Sequence, residues 1–120
     1  MRFTDTQLRY LRTQFLGRLA TLAPDGGLQN NPVGFKIDEE HRILIGGHQM
    51  GRSRKFRNAQ KHSQVAFVVD DLKTTDPWHP RMVEIRGTAE ALTDVEPPMK
   101  GMSREILRIT PERIIDYGLD

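Results

Sequence analysis

Cysteine is absent from the 120-residue chain, and aromatic residues make up only 7% of it. Without a thiol, the protein can form no disulfide and can use neither a cysteine nucleophile nor a thiolate metal ligand. No apolar run approaches the roughly 20 residues that a membrane-spanning helix needs, and the N-terminus lacks the apolar core of a signal peptide. We therefore expect a single-domain cytoplasmic protein, residues 1–120, with no membrane partner.

An excess of one charge sign is also largely missing. Eighteen Lys and Arg residues against sixteen Asp and Glu residues leave a net charge of only +2. That excess is too small to indicate a nucleic-acid ligand, but the charges are unevenly distributed. The stretch His48–Asn58, which reads HQMGRSRKFRN, contains a basic cluster made of Arg52, Arg54, Lys55 and Arg57.

The N-terminal segment has the signature of a short helix. Thr4 and Gln7 have the spacing of a capping box, in which each side chain bonds to the other residue's backbone. Leu8, Leu11 and Phe15 follow at helical spacing, so we expect the helix to end near residues 16–17.

Most of the remaining chain predicts antiparallel strands with short connections. Asp25-Gly26-Gly27 indicates a hairpin turn, and Pro32 in its second arm is expected at a sheet edge or bulge. Residues 42–47, 64–70 and 81–92 predict strands, residues 71–80 a loop, and residues 106–119 two short strand segments. Helices are expected over 53–62, with Phe56, Ala59 and Gln60 on one face, and from Glu96 onward. About six strands joined in this way suggest a small, mainly β antiparallel barrel.

The basic cluster has two equally weighted interpretations at this point. A helix starting near Ser53 would offer unpaired backbone N–H groups, the Ser53 hydroxyl and the charges of Arg54 and Lys55 to a phosphate. Alternatively, the cations form a solvated helix face. The glycines do not fit a nucleotide-triphosphate loop, so a bound phosphate would belong to a cofactor. Nucleic acid is not expected, because only Phe56 is near enough to stack on a base.

Few other residues suggest chemistry. The four histidines lack metal-site spacing, so no metal is expected; His48 is the one beside the basic cluster. Asn30-Asn31-Pro32-Val33 interrupts a strand, as a bulge facing a ligand ring or a plain irregular edge would do. Trp78 lies in the predicted loop, as an anchor or as a wall against a flat ring.

Several segments together resemble the pyridoxamine-phosphate-oxidase-like split-barrel family, and within it the branch that uses the deazaflavin coenzyme F420. They are GRLATLAPDGGLQNNPVGF, RILIGG with SRKFRN, SQVAFVVDD and PWHPRMVEIRGTAEAL. The resemblance covers residues 17–92. It implies a six-stranded antiparallel split barrel with a few short helices, and a homodimer with cofactor sites at the interface.

The resemblance also implies roles for particular residues. Ser53, Arg54 and Lys55 would bind the cofactor phosphate. The ring would be lined by Asn30, Asn31, Pro32, Val33, Gly47, His48 and Gln49, with Trp78 reaching it from the same or the partner subunit. The implied activity is hydride transfer to a small electron-poor organic substrate. FMN is the alternative cofactor, and a non-catalytic flavin carrier is the alternative role. The chain lacks the C-terminal substrate segment of the vitamin B6 oxidases, and the proton source is left between His48, Tyr117 and water.

Overall fold

A single antiparallel sheet of seven strands dominates the computed structural model, which describes residues 1–119. The strands are β1 (Leu16–Leu22), β2 (Leu28–Gly34), β3 (Lys36–Ile37), β4 (Ile43–Ile45), β5 (Gln64–Thr75), β6 (Trp78–Leu92) and β7 (Ile106–Tyr117). Two helices accompany them, α1 (Asp5–Leu11) and α2 (Arg54–Lys61), and a 3-10 turn at Met50–Arg52 precedes α2. The mainly β antiparallel fold is confirmed, with seven strands where six were expected.

The sheet must curl, because its two edges are neighbours along the chain. The strand order is β2-β1-β5-β6-β7-β4-β3, so β2 and β3 are the outermost strands. Only Phe35 separates the end of β2 from the start of β3. Two steps along the chain, from Gly34 to Lys36, span at most about 7 Å, so the ends of the outermost strands lie close together and the sheet becomes a split barrel. Pro32 lies in the edge strand β2, as predicted.

The inside of this barrel is filled by alternate residues of the strands. Phe67 of β5 is 1% exposed, and its ring meets that of Phe35 edge to face, with centroids 5.3 Å apart. Phe56 and Ala59 of α2 add to the same core. Gln60 is exposed instead of sharing their face, and Asn58 is buried in its place.

Helix α1 begins as predicted but ends early. The Thr4 and Gln7 side chains make both bonds of the capping box, at 3.1 and 2.9 Å. The helix closes after Leu11, where the N–H groups of Thr13 and Gln14 bond to carbonyls three residues back. The Thr13 hydroxyl also donates to the Tyr10 carbonyl at 2.6 Å, which competes with a further helical turn. The prediction that Phe15 continues the buried face was therefore wrong, since Phe15 is 85% exposed.

Two stretches differ from their sequence-based assignments because of long-range pairing. The predicted loop 71–80 is the end of a hairpin: β5 runs to Thr75 and β6 starts at Trp78, and Asp76 and Pro77 form the turn. Its second proline, Pro80, pairs with Leu72 beside a bulge, where a missing N–H is tolerated. The expected helix from Glu96 is absent from the described residues. Its backbone groups bond elsewhere instead, as Val95 does to Arg104 and Ser103 to Gly47.

The tail is one strand rather than two segments. Arg113 pairs with Arg86 and Pro111 pairs with Gly87, so Glu112 is an extra residue in a bulge of β7. A side chain at position 87 would overlap the Thr110 carbonyl, which explains a glycine there. Within residues 1–119, no helix is long and apolar enough to cross a membrane.

Candidate functional site

The turn that leads into α2 is shaped by Ser53, the N-cap of the helix. Its Oγ accepts a hydrogen bond from the N–H of Phe56 at 3.3 Å and donates one to the Met50 carbonyl at 2.6 Å. The hydroxyl therefore holds the 3-10 turn and the helix together. The N–H groups of Arg54 and Lys55, in the first turn, have no acceptor within the helix.

Positive charge at this helix start is left uncompensated within residues 1–119. Arg52, Arg54 and Arg57 are exposed and Lys55 is half-buried. None of these four side chains makes a hydrogen bond or ion pair to another described residue, although seven ion pairs occur elsewhere in residues 1–119. Unpaired cations and free N–H groups at one helix start are suited to binding an anion.

A segment distant in sequence, residues 103–105, makes hydrogen bonds to the backbone of this turn. The N–H of Met50 donates to the Ser103 Oγ at 3.0 Å, and Ser103 donates to the Gly47 carbonyl from both its N–H and its hydroxyl. The N–H of Gly51 donates to Glu105 Oε1 at 3.2 Å. These supporting residues, Ser103 and Glu105, were missed from the sequence, because a bond across about fifty residues leaves no local pattern.

The predicted ring-side residues after β4 stand beside the same turn. His48 and Gln49 are exposed, and Gly47 is half-buried. The His48 Nδ1 atom lies 3.4 Å from the Gly101 carbonyl oxygen, and its ring is otherwise open to a ligand. The structure thus groups Gly47, His48 and Gln49 with Ser53, Arg54 and Lys55.

The predicted segment of β2 divides between two faces of its strand. Asn31 and Val33 face the same side as Gln29, whereas Asn30 and Pro32 alternate to the opposite side. Asn31 connects with α2 through a chain of amides. Gln29 Nε2 donates to Asn31 Oδ1 at 2.7 Å, and Asn58 Nδ2 of α2 donates to Gln29 Oε1 at 3.1 Å.

A groove of about 740 Å³ runs between α2 and the turn that joins β1 to β2. Arg54, Arg57 and Lys61 line the helix side of the groove, and Pro24 and Asp25 are among the residues on the hairpin side. Its lining therefore has an excess of positive charge. This arrangement suits an elongated anionic ligand better than an apolar one.

Trp78 belongs to a different groove. It is 69% exposed at the start of β6 and lines a space of about 730 Å³ together with Met82 and Tyr117. No residue of the basic cluster lines that groove. Within one copy of the chain, Trp78 and the α2 turn are thus separate surfaces.

A second polar group, the paired cluster, consists of Tyr10, Gln14, Asp71 and Arg81. Arg81 donates to both oxygens of Asp71, at 2.9 and 2.6 Å, while Tyr10 Oη and Gln14 Nε2 donate at 2.9 and 3.2 Å. Hydrogen bonds from Arg81 hold the pKa of Asp71 below its ordinary value. Burial, followed by the bond to Asp71, raises the pKa of Tyr10. The Asp71 carboxylate has its hydrogen bonds filled from within the protein, so we assign this cluster to stability.

Comparison with known proteins gives one relative that matches the whole chain. It is the 5a,11a-dehydrotetracycline/5a,11a-dehydrooxytetracycline reductase of Streptomyces rimosus, 48% identical over 127 residues. The match covers all of this chain and 86% of the relative.

Solved structures share the fold. One named F420 reductase superposes with a TM-score of 0.64 at 25% identity, covering 84% of this chain and 89% of that one. The FAD binding protein of Mycobacterium smegmatis gives a TM-score of 0.69 at 20% identity, covering 95% and 93%, and this likeness concerns the fold alone. Residues 3–117 match the family described as pyridoxamine 5'-phosphate oxidase. The chain therefore belongs to the pyridoxamine 5'-phosphate oxidase family.

Proposed function

We propose that this protein is a cytoplasmic reductase that uses coenzyme F420 to deliver a hydride to a polycyclic, electron-poor substrate of the dehydrotetracycline type. The observation that carries the proposal is 48% identity, along the whole chain, to a reductase named for such substrates. The structural likeness to an F420 reductase supports the choice of cofactor.

The side chains present fit the charged part of such a cofactor. A phosphodiester needs several donors that converge, and the α2 turn offers the N–H groups of Arg54 and Lys55 with their side-chain charges. Ser53 would act there chiefly as the helix cap that holds these donors in place. FMN carries a phosphate too, so it is the alternative cofactor in the experiment below.

The ring would lie between β2 and the turn after β4, beside Asn30, Asn31, Pro32, Val33, Gly47, His48 and Gln49. When bound, a reduced deazaflavin supplies the hydride, and the protein supplies position and electrostatics. Exposed backbone along the edge strand β2 offers donors and acceptors to a heterocycle. The exposed His48 ring is suitably placed to exchange a proton with a ligand at this turn.

We further propose a homodimer in which Trp78 of one subunit reaches the ring bound by the other. Large apolar side chains remain exposed in one copy, among them Phe15 at 85%, Leu28 at 85% and Trp78 at 69%. Exposed apolar surface of this kind favours association. A monomer by light scattering at micromolar concentration would contradict this part of the proposal.

The decisive experiment combines binding with turnover. Purified protein is titrated with coenzyme F420 and with FMN, and the bound reduced cofactor is then mixed with dehydrotetracyclines, simpler enones and quinones. We expect micromolar or tighter binding of F420, and oxidation of the reduced cofactor that depends on a dehydrotetracycline. Millimolar binding of both cofactors would overturn the proposal. Tight binding without oxidation by any substrate would instead identify a carrier.

A further inference from the structure

Asn58 is a polar side chain in a place where a helix usually carries an apolar one. It lies beside Phe56 and Ala59 on α2 and is 4% exposed. Its Nδ2 donates to the Thr21 Oγ1 of β1 and to the Gln29 Oε1 of β2, both at 3.1 Å. Burial of an amide costs free energy unless its hydrogen bonds are made, and here both donors are used.

The two acceptors fix the direction in which this amide points. Thr21 and Gln29 are register partners on β1 and β2, so Asn58 bonds to both strands of the hairpin at one level. A flipped Asn58 amide would place its Oδ1 against the side-chain oxygen Oε1 of Gln29, which is unfavourable because both atoms are acceptors. The Gln29 amide is oriented in turn, and its Nε2 donates to Asn31 Oδ1 at 2.7 Å.

We infer that Asn58 is a positioning residue that holds the basic start of α2 at a fixed distance and angle from Asn31 on β2. Asn58 follows Arg54 by one helical turn and Lys55 by three residues, so its bonds restrain the same rigid element that carries those charges. The inference rests on the proposed function, in which α2 binds the phosphate and β2 lies beside the ring.

Such a restraint has a specific effect on affinity. A ligand with a phosphate at one end and a ring at the other gains from both contacts only when the two subsites have the spacing of the ligand. Loss of the amide chain would leave each subsite intact and would weaken their combined action. A residue with a merely structural role would instead affect all ligands alike.

The test compares ligands with and without the phosphate. Gln29→Met keeps the size of the side chain and the Asn58–Thr21 bond but removes the connection to Asn31. Asn58→Ala removes the whole chain, and Thr21→Ser retains an acceptor as the conservative variant. Gln60→Ala, an exposed change on the same helix, is the matched control. Dissociation constants are measured for coenzyme F420, its phosphate-free deazaflavin chromophore and inorganic phosphate, with melting temperatures alongside.

We expect Gln29→Met and Asn58→Ala to weaken F420 binding about tenfold and to change binding of the phosphate-free chromophore and of phosphate less than about twofold. Thr21→Ser and Gln60→Ala should match the wild type. An equal loss of affinity for all three ligands would overturn the positioning role alone. The same would follow if folded Gln29→Met kept the wild-type ratio of the dissociation constants for F420 and the phosphate-free chromophore. A wild-type protein that binds neither F420 nor the chromophore would overturn the proposed function, and this inference with it.

Discussion

Two charged regions of the molecule differ in whether their charges are paired. In the paired cluster, the Asp71 carboxylate receives hydrogen bonds from Arg81, Tyr10 and Gln14. At the start of α2, Arg54 and Lys55 make no ion pair with another residue among residues 1–119. Paired charges support the fold, whereas clustered unpaired charges weaken it slightly through repulsion. The difference supports the proposal that the α2 turn binds a ligand, whereas the Asp71 region stabilises the fold.

Charge reversal at Lys55 should have the largest effect of the changes that test this difference between the two regions. Lys55→Glu places an anion where the phosphate is proposed to bind, so the dissociation constant for F420 should rise about 100-fold, or about 2.7 kcal/mol. The free energy of unfolding should stay the same or increase slightly, because repulsion within the cluster is relieved. Fluorescence titration and urea unfolding give the two values. Lys36→Glu, an exposed reversal outside the cluster, is the control, and an equal loss of affinity in it would point to net charge alone.

Removal of Asp71 should lower the stability of the fold and leave ligand binding unchanged, which is the reverse of the Lys55→Glu result. The change in free energy should be somewhat smaller. Asp71→Ala deprives half-buried Arg81 and buried Tyr10 of their shared acceptor, which should cost about 2 kcal/mol of unfolding free energy. Binding of inorganic phosphate to the α2 turn should be unchanged. Urea unfolding followed by circular dichroism measures the stability loss. A stable Asp71→Ala protein with weakened phosphate binding would reverse the roles assigned to the two regions.

Of these two regions, acid should weaken the paired cluster, because Asp71 titrates there; we expect this effect to be the smallest of the three. Arg81 lowers the pKa of Asp71 below its usual 3.8, so the unfolded chain takes up a proton at Asp71 before the folded chain does. The stabilisation is therefore complete above about pH 5 and is lost as the pH falls through 3.8 and below. Asp71→Asn should be less stable at neutral pH and should lose less stability between about pH 5 and pH 3. The free energy of unfolding is measured against pH for each protein. Parallel curves for Asp71→Asn and the wild type would contradict this prediction. Lys55→Glu should show the same dependence on pH as the wild type.

The sequence predicted those features that depend on local chemistry. The Thr4 capping box, the turn at Asp25-Gly26-Gly27 and the start of α2 at Ser53 all depend on residues a few positions apart, and all are confirmed. The basic cluster was visible for the same reason.

The missed features depend on contacts between distant segments. The stretch 71–80 looked like a loop because of its prolines, yet pairing of β5 with β6 continues along it. Nothing near Asn58 indicated that Thr21 and Gln29 would surround it, and nothing near Met50 pointed to Ser103. The expected helix face with Gln60 failed because the α2 surface that is buried depends on where the β1–β2 hairpin packs.

The single residue between β2 and β3 has a mechanical consequence. Phe35 is 8% exposed and fixed between two strands that end opposite margins of the sheet. A slip of β2 by one residue would move every side chain to the other face and would pull β3 along its own partner β4. Since β4 leads directly into Gly46 and Gly47, the strand proposed beside the ring and the turn proposed around the phosphate are connected along the chain through β3 and β4. An insertion of two flexible residues after Phe35 would weaken this connection, so both β2 and the turn after β4 would become less firmly positioned.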